Sequence, residues 1–187
     1  MTNDTNIRVC PVENAGALDN SIRKLLQNPR KLLKPFIRKG MTVLDFGCGP
    51  GFFSIEMAKM LEGSGKVIAA DLQGEMLEKV NKKITGTNLE HRIILHKCEI
   101  NNIGITEKVD FILAFYMVHE VPDHDNLFVA LKKILKPDGR LYIVEPKFHV
   151  SKKAFEIMIN KLKNTGFDVI ESPKVFFSRT ALMTVKA

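Results

Sequence analysis

What the chain lacks narrows it first. In 187 residues cysteine occurs three times, at Cys10, Cys48 and Cys98, and no two of them form a Cys-x-x-Cys pair. An odd, unpaired set argues against a disulfide framework or a zinc ribbon and implies reduced thiols. No apolar run approaches the roughly 20 residues that a membrane-spanning helix needs, and the mean hydropathy is only -0.03. The first six residues, Met1 to Asn6, are polar and carry no basic-then-apolar leader. A cytoplasmic protein without a membrane span is expected. There is no internal repeat and no low-complexity tract. The length suits one domain over 1–187, with 1–28 as an amino-terminal arm and cap helix.

The net charge is +7, unevenly spread. Residues 1–40 carry 8 basic and 3 acidic groups, and so do residues 147–187; residues 41–146 carry 12 and 15. The basic residues sit in amphipathic segments and do not form long runs. A solvated surface accounts for them before a nucleic-acid partner does.

Apolar spacing alternates between two periods. Leu18, Ile22, Leu25 and Leu26 share a helical face, Asn28-Pro29 restarts the chain, and Leu32, Leu33, Phe36 and Ile37 form a second face ended by Lys39-Gly40. Strands are expected at 42–46, 66–70, 92–96, 109–115 and 140–145, and two more at 167–171 and 181–186. Helices are expected between them over 52–62, through Met76 to Ile84, through Leu127 to Leu135, and through Phe155 to Leu162, where Gly166 stops the chain. Lys136-Pro137-Asp138-Gly139 reads as a turn. This is an α/β pattern: a doubly wound, mostly parallel seven-stranded sheet covered on both faces. Ligands in such sheets bind past the carboxyl ends of the strands.

The chemistry is expected at the first of those ends. Asp45-Phe46-Gly47-Cys48-Gly49-Pro50-Gly51 leaves a strand and opens a helix. Glycines there allow a tight turn and close ligand approach, and the helix start offers free N–H groups. A dinucleotide fingerprint needs a third glycine where Phe52 stands, and no Gly-Lys-Ser/Thr follows for a P-loop. The loop therefore suits a ligand without a pyrophosphate. Asp45 would repel phosphate and favour an ammonium or sulfonium group. Asp71, ending the second strand, can accept two hydrogen bonds from a ribose diol.

Four stretches then occur in order: Val43 to Gly51, Ala70-Asp71, Ala114 to Val121, and Leu135 to Leu141. On these the chain resembles the class I S-adenosylmethionine-dependent methyltransferases, specifically the ubiquinone/menaquinone-biosynthesis branch, over about residues 30–146. The resemblance implies a methyl transfer from S-adenosylmethionine and a last strand pair that includes an antiparallel one. It implies that Asp45 and Gly47 hold the methionine amino group, with Cys48 and Gly49 bordering it. Asp71 would bind the ribose, and Leu72 and Met76 would flank the adenine. Where the family usually has Asp-Ala after the third strand, this chain has Glu99-Ile100, preceded by Cys98. Ala114 and Phe115 would line the methyl end.

The acceptor is expected to be a small molecule. A protein or RNA methyltransferase using the basic terminal segments, or a non-catalytic cofactor-binding subunit, are the alternatives. Against amino-nitrogen DNA methylation, Ala114-Phe115-Tyr116-Met117 stands where an Asp/Asn-Pro-Pro-aromatic motif belongs. His119-Glu120-Val121-Pro122-Asp123-His124 has the wrong spacing for a zinc-protease motif, and Pro122 would break the helix. Cys10 reads as an incidental small hydrophobe. His119, a few residues past the fourth strand, is the candidate catalytic residue: a neutral imidazole can take a proton near working pH. Glu145 and His149 are possible helpers on the same edge. Residues 1–28 are expected to wall the acceptor pocket.

Overall fold

A computed structural model of the chain describes residues 27–186. The cap helix expected through Leu18 to Leu26, the pocket wall expected from residues 1–28 as far as Leu26, and Cys10 lie outside the described residues.

The elements run α1 (Pro29–Leu33), β1 (Thr42–Phe46), α2 (Phe52–Met60), β2 (Lys66–Asp71), α3 (Gly74–Ile84), β3 (Ile93–Lys97) and β4 (Val109–Phe115). A 3-10 turn (Val118–Glu120) follows, then α4 (His124–Ile134), β5 (Leu135–Pro146), α5 (Lys152–Thr165), β6 (Phe167–Glu171) and β7 (Ser178–Val185). One seven-stranded sheet has the order β3-β2-β1-β4-β5-β7-β6. Neighbours from β3 through β5 are parallel, and β7 is antiparallel to both β5 and β6.

Strand alternation sorts side chains onto two cores. Val43, Val67, Phe111, Leu113 and Tyr142 pack with α1, α2 and α3 on one face. Leu44, Ile68, Ile112, Leu141 and Ile143 pack with α4 and α5 on the other. The helix ends follow local chemistry. Asn28 accepts the Lys31 N–H at 3.0 Å, with Pro29 in the first helical turn. Ser151 accepts the Ala154 N–H at 3.1 Å, and Gly166, at φ 99°, closes α5.

Two local expectations change. The helix expected through Ile37 stops at Leu33, since Pro35 has no N–H to continue the ladder. The segment 136–139 is not a separate turn but a bulge inside β5: Leu135 pairs with Val109, and Arg140 pairs with Phe111.

The strand order reverses between β1 and β4, so the connections from these two strands leave in opposite directions. That is where an α/β sheet opens a crevice, and the site lies there.

Candidate functional site

A cavity of about 730 Å³ opens at the carboxyl edge. Its first wall is main chain. Gly47 and Cys48 donate their N–H groups to Ala70 O at 2.9 and 3.0 Å, folding the loop across to β2. Gly47, at φ 73°, lies so close to the next strand's exit that an added Cβ would sit 2.7 Å from Met117 Cβ. Gly49, at φ 52°, faces open space within 4 Å. Both positions thus need glycine, one for a close approach and both for left-handed backbone.

Asp71 organises this wall. Its Oδ2 accepts the Gly49 N–H at 2.8 Å and its Oδ1 accepts the Gln73 N–H at 2.9 Å. Burial raises its pKa, and the N–H groups of Gln73, Gly49 and Leu72 pull it back down. A carboxylate has about four lone-pair sites, so acceptor capacity remains on Asp71 for a hydroxyl in the cavity. A vicinal diol fits this arrangement. Leu72, Met76, Cys98 and Glu99 continue the wall. Both cysteines there stay protonated. Burial pushes Cys48 well up, helped by the charges of Asp45 and Asp71. Burial, then Asp71, pushes Cys98 up to about 12. Neither is a nucleophile at neutral pH.

The opposite wall is made of side chains. Phe53, Phe115, Tyr116 and Phe148 form a run of aromatic contacts, with ring centroids 4.4, 4.4 and 6.5 Å apart in turn. Tyr116 has φ 61° without being glycine, a strained conformation of the kind that accompanies functional sites. Its Oη is held by Gln27 Nε2 at 2.7 Å and by Ser178 Oγ at 2.6 Å.

His119 also lines the cavity. Its Nδ1 lies 2.5 Å from Glu145 Oε2, and Glu145 is fully buried. Burial pulls the His119 pKa down. The hydrogen bond and charge of Glu145, with the charge of Glu120, more than offset that and leave it above the ordinary histidine value. The turn carrying His119 is pinned through Val118, its first residue: Val118 N–H donates to Glu145 Oε1 at 2.9 Å, and His124 Nε2 donates to Val118 O at 2.9 Å. His124 is therefore occupied structurally, while the His149 ring stands 5.5 Å from that of His119.

Most expected residues gather here: Gly47, Cys48, Gly49, Asp71, Leu72, Met76, Cys98, Glu99, Phe115 and His119 all line the cavity. Asp45 and Ala114 do not, which corrects the contacts expected for them. Asp45 is 1% exposed and accepts the Ser54 hydroxyl at 2.5 Å beneath α2. Ala114 packs in the core on the far face of the sheet, with Leu44 and Ile112. Each lies one residue inside its strand end, and the terminal residues Phe46 and Phe115 reach the cavity in their place. Sequence reading passed over Phe53, Met117, Phe148 and the hydrogen-bonded Tyr116 as site residues. Tyr116 was findable, since it is the first residue beyond β4.

A model of the family described as methyltransferase domain matches residues 37–172. The demethylmenaquinone methyltransferase of Lactobacillus johnsonii is 34% identical over 110 residues, covering 58% of this chain and 45% of that protein. The ribosomal protein L11 methyltransferase of Dictyoglomus turgidum is 29% identical over 141 residues, covering 75% of this chain and 43% of that protein. The chain thus spans about half the length of the curated relatives it matches, or a little less. Among solved structures, a SAM-dependent methyltransferase from Aquifex aeolicus superposes with a TM-score of 0.84 at 28% identity. That superposition covers 96% of this chain and 100% of that one.

Proposed function

The chain belongs to the methyltransferase domain family, and from that premise we propose that it transfers a methyl group from S-adenosylmethionine to a small-molecule nucleophile. The observation that carries the reading is Asp71, poised on the cavity with spare acceptor capacity beside the open Gly49. Asp71 would hold the ribose hydroxyls, and Gly47, Cys48 and Gly49 the amino-acid end. Leu72, Met76, Cys98 and Glu99 would surround the base. Asp45 acts from behind the wall, tying the loop to α2 through Ser54. When bound, the cofactor supplies an activated, electrophilic methyl group.

The chain's own residues do the rest. The aromatic run from Phe53 to Phe148 excludes water and orients a flat or apolar acceptor. His119 takes the proton that the acceptor loses as its electron pair forms the new bond to carbon. The matched demethylmenaquinone methyltransferase supports a small-molecule acceptor.

Incubating the protein with methyl-labelled cofactor in native extract and fractionating the label by size tests this. Label in small molecules is the expected result. Label in protein or RNA would replace the acceptor class, and cofactor binding without any transfer would make the chain a binding subunit.

A further inference from the structure

Glu145 is the penultimate residue of β5 and has no exposure to solvent. An ionised carboxylate is expensive to bury unless its oxygens are satisfied and its charge is answered. Both oxygens are satisfied: Oε1 takes the Val118 N–H and Oε2 meets His119 Nδ1. Among the described residues the charge has one ion-pairing partner, the His119 ring. Arg179 stands opposite on β7, but its Nε donates to Val150 O at 3.0 Å. The buried carboxylate therefore serves the imidazole, and the backbone bond to Val118 keeps the turn from carrying that imidazole away.

We propose that Glu145 is the positioning residue of His119: it fixes the proton on Nδ1 and leaves the lone pair of Nε2 facing the cavity. The proposal rests on the reading of His119 as proton acceptor and adds what makes it one. Nε2 has no hydrogen-bond partner among the described residues, while the ring lines the cavity. A carboxylate held at Nδ1 selects the tautomer and stabilises the cation formed when Nε2 gains a proton. The groups facing the ring are Glu120 on its own turn, Glu145 from β5 and His149 beyond β5, with His124 of α4 behind the turn. Two of these are acidic, and among the described residues Glu145 alone bonds the ring.

Nitrogen NMR of the histidine rings in the resting protein is the test, with Glu145→Gln beside the parent. In the parent, the neutral His119 ring should carry its proton on Nδ1, and its titration midpoint should lie above that of free histidine. In Glu145→Gln the midpoint should fall, and the acidic limb of the kcat–pH profile should move down with it. The kcat should drop about tenfold or more, with KM and S-adenosylhomocysteine affinity nearly unchanged. A parent ring protonated on Nε2 overturns the proposal even if the variant fails to fold. So does a variant that loses kcat without any change in titration, since that loss would be structural. Calorimetry with S-adenosylhomocysteine stands apart: failure there removes the cofactor reading and leaves the tautomer result intact.

Discussion

The two sides of the cavity are built from different materials. The side carried by β1, β2 and β3 is mainly main chain: two left-handed glycines, their N–H groups and one carboxylate that braces the loop. The side at the exits of β4 and β5 is mainly side chains: Phe115, Tyr116, His119 and Phe148 line it, and Gln27, Ser178 and Glu145 hold Tyr116 and His119 from behind. The seam between them is Gly47 against Met117. Main-chain geometry of this kind is fixed by a short motif, so the first side can be shared across a whole family. Side-chain walls can change without disturbing the sheet. On the proposed function the acceptor would be specified on the second side, and the two sides should fail in different ways when cut.

The largest effect is expected on the second side. His119→Ala removes the group placed to take the proton, a contribution of about 10²–10⁴ in rate. Turnover should fall at least about a hundredfold by that measure, while S-adenosylhomocysteine binding by calorimetry stays close to the parent's. A rate within a few-fold of the parent would leave His119 a packing residue and catalysis to alignment alone. The parent's rate should also rise with pH through the raised midpoint of His119, because the base works only when deprotonated. The stability that His119 draws from Glu145 runs the other way. It is fully present below the unfolded-state histidine pKa and is lost as pH rises through the folded one.

On the first side the failure should appear in affinity. Asp71→Ala deletes both acceptor oxygens and the brace on Gly49 and Gln73. Charge-assisted hydrogen bonds are roughly twice as strong as neutral ones, so S-adenosylhomocysteine should bind at least about tenfold more weakly. A folded variant with unchanged affinity would move the ribose contact elsewhere. If Asp71→Ala lost rate at saturating cofactor as severely as His119→Ala, the division between the two walls would itself collapse.

The same division explains what the sequence could show. The glycine loop and Asp71 were legible because contiguous residues on one strand end make that wall. Asp45 and Ala114 were assigned to the cavity by the family resemblance. Both strands end one residue later, at Phe46 and Phe115, and it is these that reach the cavity, while Asp45 and Ala114 turn into the core on opposite faces of the sheet. The bond from His119 to Glu145 could not be read that way. It joins residues 26 apart across two strands, and it depends on where the turn after Tyr116 points. The bulge at 136–139 was hidden for a similar reason: these turn residues lie unpaired between Leu135 and Arg140, and the pairing of both flanks with β4 is a long-range fact that no local signal announces.

The smallest effect tests whether a polar group on this sheet is always there for a reason. Tyr142 lies three residues before Glu145 on β5 and is as deeply buried, at 1% exposure. Glu145 has both oxygens satisfied, whereas Tyr142 Oη has no hydrogen-bond partner among the described residues. Its ring packs 5.3 Å from that of Phe36. Burial, and then the charge of Glu171, raise its pKa, so the hydroxyl stays neutral. A buried hydroxyl without a partner forfeits about 1–3 kcal/mol of desolvation. Tyr142→Phe removes that cost and leaves a gap of one oxygen, whose lost contacts are worth only a few tenths of a kcal/mol, at about 0.1–0.2 per atom pair. The denaturant midpoint should therefore hold or rise, with Tm up by about 2–4 °C for each kcal/mol gained in a chain of this length. Turnover should be unchanged, since Tyr142 packs on Phe36 in the core and does not line the cavity. A loss of stability of about 1 kcal/mol would instead mean that the hydroxyl binds an internal water, and that both buried polar groups on β5 are held by partners.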